Sequence, residues 1–159
     1  MKVLVAYATA YGSTREIAEK VGEVLKTKGM KVDVSDVKDV SDVSSYEAAV
    51  IGAPVMKFNF LPAAKKFVKS NKEALAKIPV AYFSLGFKMM EDTQERREWM
   101  MNKLKVVTKV VEPVDVGLFG GKYKKPEKGF AFPFPEGDWR DWAKITAWAE
   151  GLADKLKGK

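Results

Sequence analysis

Cysteine and histidine are both missing from the 159 residues, and their absence removes whole branches of chemistry. Without them there is no thiolate-held iron–sulfur cluster, no Cys/His zinc site, no thiol nucleophile and no Ser-His-Asp triad. No disulfide is available either, and a domain of this length folds without one, because it buries roughly two-thirds of the surface its unfolded chain exposes. Long apolar runs are absent: none approaches the ~18 to 20 residues of a membrane span. Met1-Lys2 lead straight into a strand-like segment where a signal peptide would show a longer apolar core, so a cytoplasmic location is expected. There is no internal repeat, and acid is in short supply. Asp+Glu 21 against Lys+Arg 28 gives a net charge of +7, which suits nucleic acid, an anionic membrane or an acidic protein as partner. No nucleic-acid-binding motif singles out the first of these.

What is present is the composition of a folded α/β chain, 47% hydrophobic and 31% charged. Val3-Leu4-Val5-Ala6-Tyr7 is apolar without alternation, the pattern of a strand covered on both faces. Helical spacing follows at Ile17, Ala18, Val21 and Leu25, with Gly29 where a C-terminal cap belongs. Lys31 to Val37 alternates, as an edge strand does. Ala48 to Ala53 and Ile78 to Ser84 are again solidly apolar, while Val114, Val116 and Leu118 alternate after Pro113. Helices are expected near Pro62 with Phe67 and Val68 inward, near Asp92 with Trp99 and Leu104 inward, and after Trp139. Asp92 with Glu95 has the spacing of a capping box, and Asp138 stands as an N-cap for the last helix, whose buried stripe is Trp142, Ile145, Ala149 and Leu152. These are five β/α units. Edge-like second and fifth strands predict a three-layer, doubly wound, five-stranded parallel sheet of order 2-1-3-4-5. The whole chain, 1–159, is expected to be one domain, with an irregular insertion at about 119–138 rich in Gly, Pro, Lys and aromatics.

In such sheets ligands bind beyond the carboxyl ends of the strands, where strand order reverses. The loop after the first strand reads Thr9-Ala10-Tyr11-Gly12-Ser13-Thr14. Its hydroxyls and backbone N–H groups converge on the positive end of the next helix, an arrangement suited to a phosphate. Ser13 with Glu16 also reads as a simple capping box, so the loop composition alone leaves a purely structural role open.

Thr9-x-x-Gly12-Ser13-Thr14 after a first strand, followed by five β/α units, resembles the phosphate loop of the flavodoxins. That resemblance spans essentially the chain and implies FMN as cofactor, its phosphate held by Thr9, Gly12, Ser13 and Thr14, with Tyr11 where a threonine is usual. It also implies that the flavin ring lies between Pro54-Val55-Met56-Lys57-Phe58 and Ser84-Leu85-Gly86-Phe87-Lys88. Apolar and thioether faces there suit a polarizable ring; Met56, Phe58 and Phe87 compete for the contact. Many flavodoxins carry Trp-Gly-Asp where Met56-Lys57-Phe58 stand, and a lysine takes the positive φ open to that glycine only at a cost. Typical flavodoxins are acidic, whereas Lys57, Lys88, Lys122, Lys124 and Lys125 are expected to ring this flavin and raise its potential.

Leu118-Phe119-Gly120-Gly121-Lys122-Tyr123, Thr14-Arg15-Glu16-Ile17-Ala18 and Val50-Ile51-Gly52-Ala53 are similar to the menaquinone-dependent protoporphyrinogen oxidase group of flavodoxin-like proteins. An FMN-dependent electron carrier passing electrons to a redox partner protein is therefore the leading expectation; Lys65, Lys66, Lys69 and Lys72 read first as a solvated helix face, with recruitment of an acidic, ferredoxin-like partner as the alternative. An oxidase using a quinone acceptor, its basic loop 119–137 either holding carboxylates or serving as a lid packed by Phe130, Phe132 and Phe134, is one alternative. A basic binding module without flavin is another. Response regulators on this scaffold carry an aspartate after the third strand; Pro54 and Val55 stand there.

Overall fold

The computed structural model describes residues 1–9, 12–124 and 136–158. Five parallel strands form its centre: β1 (Lys2–Tyr7), β2 (Lys31–Asp36), β3 (Ala48–Met56), β5 (Val80–Leu85) and β6 (Asp115–Phe119), in the order β2-β1-β3-β5-β6. Between β3 and β5 the chain adds β4 (Asn59–Phe60), antiparallel to the end of β3, so the five long strands run 2-1-3-4-5 as expected. The two strands that alternate in sequence, β2 and β6, are indeed the edges.

Each central strand sends alternate side chains to two cores, because its pleat has period two. Val3, Val5, Ala81 and Phe83 meet α1 (Ser13–Thr27) and α5 (Trp142–Lys157) on one face. Leu4, Ala6, Ile51 and Tyr82 meet α2 (Pro62–Ser70), α3 (Lys72–Leu75) and α4 (Gln94–Thr108) on the other. The buried Tyr82 hydroxyl donates to the Val111 carbonyl at 2.8 Å, and burial pushes its pKa up. Gly52 lies beside Phe83 across the β3–β5 pair, and a Cβ there would overlap the buried ring at 1.9 Å. At the end of α1, Gly29 has φ +88, and the Gly29 and Met30 amides donate to the Lys26 and Leu25 carbonyls, the left-handed stop that its position predicts.

The helix starts depart from the local expectations. Gly12 at φ +90, not Ser13, precedes α1, and no side chain caps it; Glu16 instead accepts from Arg140 at 3.0 Å. Thr93, not Asp92, caps α4 by accepting from the Arg96 amide at 3.2 Å. Asp141 caps α5, while Asp138 belongs to β8 (Gly137–Asp138), which pairs antiparallel with β7 (Lys122–Tyr123). Ile145, Ala149 and Leu152 are buried, but Trp142 is exposed with the Arg140 guanidinium 4.9 Å from its ring centre. Trp99 is only half-buried.

Asp92 is drawn away from the helix start by the hydrogen-bonded cations Arg97 and Lys144, which hold its carboxyl well below the usual carboxylate range. A carboxylate with a lowered folded-state pKa stabilises the fold above its unfolded value and loses that contribution as the pH falls. Asp92→Asn is therefore expected to flatten the acid limb of the stability profile below about pH 4. At neutral pH the loss should stay within about 1 kcal/mol, since the three side chains are partly solvated. Urea unfolding across the acid range checks both.

Candidate functional site

The carboxyl ends of β1, β3 and β5 open onto a cavity of about 650 Å³. Ser13 and Thr14 from the first turn of α1 form one wall. The helix leaves its first N–H groups without intrahelical partners and carries partial positive charge there. Thr14 is completely buried and its Oγ1 has no hydrogen-bond partner among the described residues. A buried orphan hydroxyl costs about 1 to 3 kcal/mol, and such groups in native proteins call for a specific explanation. Thr9 acts one step back: its Oγ1 accepts from the Gly12 amide at 2.8 Å, which fixes the loop's return into the helix. Ala10 and Tyr11 lie outside the described residues.

The second wall is the turn from β3 into β4. Met56 pairs with Asn59, so Lys57 and Phe58 make a two-residue hairpin, with φ +49 and +67. That turn normally takes Asn-Gly, and each non-glycine residue held there costs of order 1 kcal/mol. The lysine thus does adopt the left-handed conformation, together with its neighbour. Such strain is concentrated at functional sites. Pro54, Val55, Met56, Lys57 and Phe58 all line the cavity.

Leu85, Gly86, Phe87 and Lys88 line the third wall; Ser84 does not, being buried with its hydroxyl donating to the Ala53 carbonyl at 2.7 Å. Gly86 is extended, and a Cβ there would sit 3.4 Å from the Val55 carbonyl, near ordinary contact distance. Phe87 is held edge-on by Tyr123 at 5.6 Å and Trp139 at 5.9 Å. Gly121, Lys122 and Tyr123 close the fourth side, with Met90, Arg96 and Trp99 at the far rim.

Of these positions the sequence points only to Lys122, as one of the expected cations; Gly121, Tyr123, Met90, Arg96 and Trp99 are additions to the site, although Gly120-Gly121-Lys122-Tyr123 carries a signal. Gly120 is packed so closely under Trp139 that a Cβ would meet its carbonyl oxygen at 2.3 Å, and the Trp139 amide donates to the Gly121 carbonyl at 2.9 Å. Arg140 then bonds Asp138 through two nitrogens and reaches Glu16 on α1; these contacts hold the Asp138 carboxyl below its ordinary range and raise the guanidinium. Of the expected ring of cations, Lys57, Lys88 and Lys122 line the cavity; Lys124 is exposed outside it. Lys125, Phe130, Phe132 and Phe134 lie outside the described residues.

The cavity thus joins a helix start to apolar loops at the reversal of strand order. The model of the Flavodoxin domain matches residues 4–131. The chain belongs to that family. Among solved structures, an archaeal flavodoxin superposes with a TM-score of 0.64 at 21% identity, covering 99% of each chain. The rubredoxin oxygen:oxidoreductase of Desulfovibrio gigas matches with a TM-score of 0.58 at 19% identity, over 99% of this chain and 36% of that one. Both likenesses concern the fold. In sequence, the protoporphyrinogen IX dehydrogenase [quinone] of Escherichia coli K12 is 33% identical over 88 residues, covering 54% of this flavodoxin-domain chain. The chain spans about half the length, 49%, of that curated relative. No helix among the described residues is long and apolar enough to cross a membrane.

Proposed function

We propose that this flavodoxin-domain protein binds FMN non-covalently in the cavity and carries electrons between redox partners. The observation that carries the reading is the orphan Oγ1 of the fully buried Thr14 at the first turn of α1. A phosphate there gives that hydroxyl an acceptor and lies on the positive end of the helix. Ser13 and the amides that follow Gly12 supply further donors, so uncharged groups grip a dianion.

The residues around the rest of the cavity fit a flavin ring. Val55, Met56, Leu85 and Tyr123 offer apolar surface, and Lys57, Lys88 and Lys122 place positive charge at its border. The flavin supplies the redox chemistry. The protein holds its orientation, excludes water from its apolar faces and, through the three lysines, favours whichever state carries more negative charge.

Titration with FMN and with riboflavin separates phosphate recognition from ring recognition. FMN is expected to perturb the visible bands, lose its fluorescence and bind at least about 100-fold more tightly than riboflavin, the loss of several charge-assisted hydrogen bonds. Equal affinity for the two, or none for FMN, overturns the reading.

A second reading is favoured by the 33% identity to the Escherichia coli protoporphyrinogen IX dehydrogenase [quinone] and by a cavity border bearing Lys57, Lys88, Lys122 and Arg96, which suits a carboxylate-bearing substrate. Turnover of protoporphyrinogen with a quinone acceptor by the FMN-loaded protein supports it; electron transfer without such turnover leaves the carrier.

A further inference from the structure

We infer that the face centred on Phe58 and Trp99 is the docking surface for an acidic, one-electron redox protein. This rests on the reading of the adjacent cavity as an FMN site. Phe58 is 71% exposed at the tip of a turn whose two residues are both held in the left-handed region. A hydrophobe of that size stays open to water here instead of folding into the nearby core, and its ring meets Trp99 edge-on at 6.3 Å.

Cations surround this apolar centre. The Lys88 and Lys103 ammonium groups lie 5.2 and 5.1 Å from the Trp99 ring centre, and Lys57 sits beside Phe58 in the turn. None of these three lysines makes a salt bridge among the described residues. The contact with the indole face leaves the ammonium donors free for carboxylates. The acidic groups nearby are Glu91, which faces Arg96 at 3.8 Å, and Glu95 and Glu98, which share a shallow hollow with Lys88, Arg96 and Trp99. None of these carboxylates is within salt-bridge distance of the three lysines. An aromatic centre with a charged rim is the anatomy of an interface that steers its partner by charge and holds it by desolvating a few large side chains.

Position supplies the remaining argument. Lys57, Phe58, Lys88 and Trp99 also line the cavity, so a partner seated on them lies against its mouth, where the transfer distance is short. One electron leaves the partner, which is oxidised by one equivalent, and the flavin is reduced by one. The lysines of α2 and α3, which the sequence offers as an alternative recruiting face, have charge without an apolar centre. Lys66 and Lys69 on α2 and Lys72 at the start of α3 are exposed, but no large exposed hydrophobe accompanies them on either helix.

The test titrates the full chain, with and without FMN, against a strongly acidic plant-type ferredoxin whose iron is replaced by redox-inert gallium, at low and high salt. Binding is read by calorimetry. Lys103→Glu, outside the cavity, should weaken binding about ten-fold at low salt and much less at high salt. Phe58→Ser should weaken it about ten-fold at both, as the loss of an apolar anchor does. The pair Lys66→Glu and Lys69→Glu together should stay within about two-fold, and a basic cytochrome c should not bind. Absence of wild-type binding, wild-type affinity in either face variant, or a larger loss in the α2 variant overturns the proposal. FMN affinity is measured separately by fluorescence. A chain that binds ferredoxin at this face but not FMN rejects the cavity reading alone.

Discussion

Thr14→Val should make the ligand-free protein more stable and its FMN complex weaker. Threonine and valine share a branched Cβ and nearly one shape, so the helix turn keeps its backbone preference. What changes is the hydroxyl. In the ligand-free protein that oxygen is buried without a partner among the described residues, and exchanging it for a methyl group should gain about 1 kcal/mol. In the complex the same oxygen is proposed to bond a charged phosphate, an interaction worth about 1.5 to 3 kcal/mol, or roughly a ten- to hundred-fold rise in Kd when lost. Urea melts without ligand and FMN fluorescence titrations give the two signs independently. A variant that is destabilised yet binds FMN normally would show that the hydroxyl serves the fold.

Gly12→Val is expected to lower FMN affinity by about a hundred-fold and to destabilise the ligand-free chain by about 1 to 2 kcal/mol. The sequence suggests a steric reason, a side chain blocking the approach of backbone to phosphate. The structure supplies a conformational one instead. Among the described residues, chain neighbours aside, no atom lies within 4 Å of a Cβ built on Gly12, but its φ is +90, which a β-branched residue rarely adopts. Relaxing to negative φ turns the amides at the mouth of α1 away from the cavity. Gly12→Ala should therefore lose a large part of the same affinity, although alanine is small. If alanine binds FMN like the wild type while valine does not, bulk and not backbone conformation is responsible.

The contrast between those two glycine arguments marks what could be read from the sequence. Strand order was legible because burial on both faces removes polar alternation. The residues 3–7, 48–53 and 78–84 therefore announce central strands, whereas β2 and β6 keep the alternation of edges. The β3–β4 hairpin was not legible. Its turn uses Lys57-Phe58, neither of which favours positive φ, and no local signal predicts a conformation that the local chain resists. The Thr9–Thr14 loop stands out in the sequence, since a hydroxyl-rich loop after a central strand is a local pattern, but the role of Glu16 does not. Its partner Arg140 lies 124 positions away. Asp92 and Asp138 also have the spacing of a cap, but each is taken by a cation: Asp92 by Arg97 and by Lys144, 52 positions away, and Asp138 by Arg140, two residues on. Capping rules weigh only neighbours in sequence, and a charge-assisted bond outcompetes them.

The pairing of β7 with β8 has an evolutionary consequence. Tyr123 lies opposite Gly137, and Trp139 and Arg140 anchor the returning chain to Gly121 and to α1. With both roots fastened, the entropy of joining them grows only logarithmically with the number of residues between, by roughly 0.6 kcal/mol per doubling. Descendants can lengthen, shorten or recompose that stretch while the cavity walls that follow β1, β3 and β5 stay constant, so new specificities can be tried at little hazard to folding.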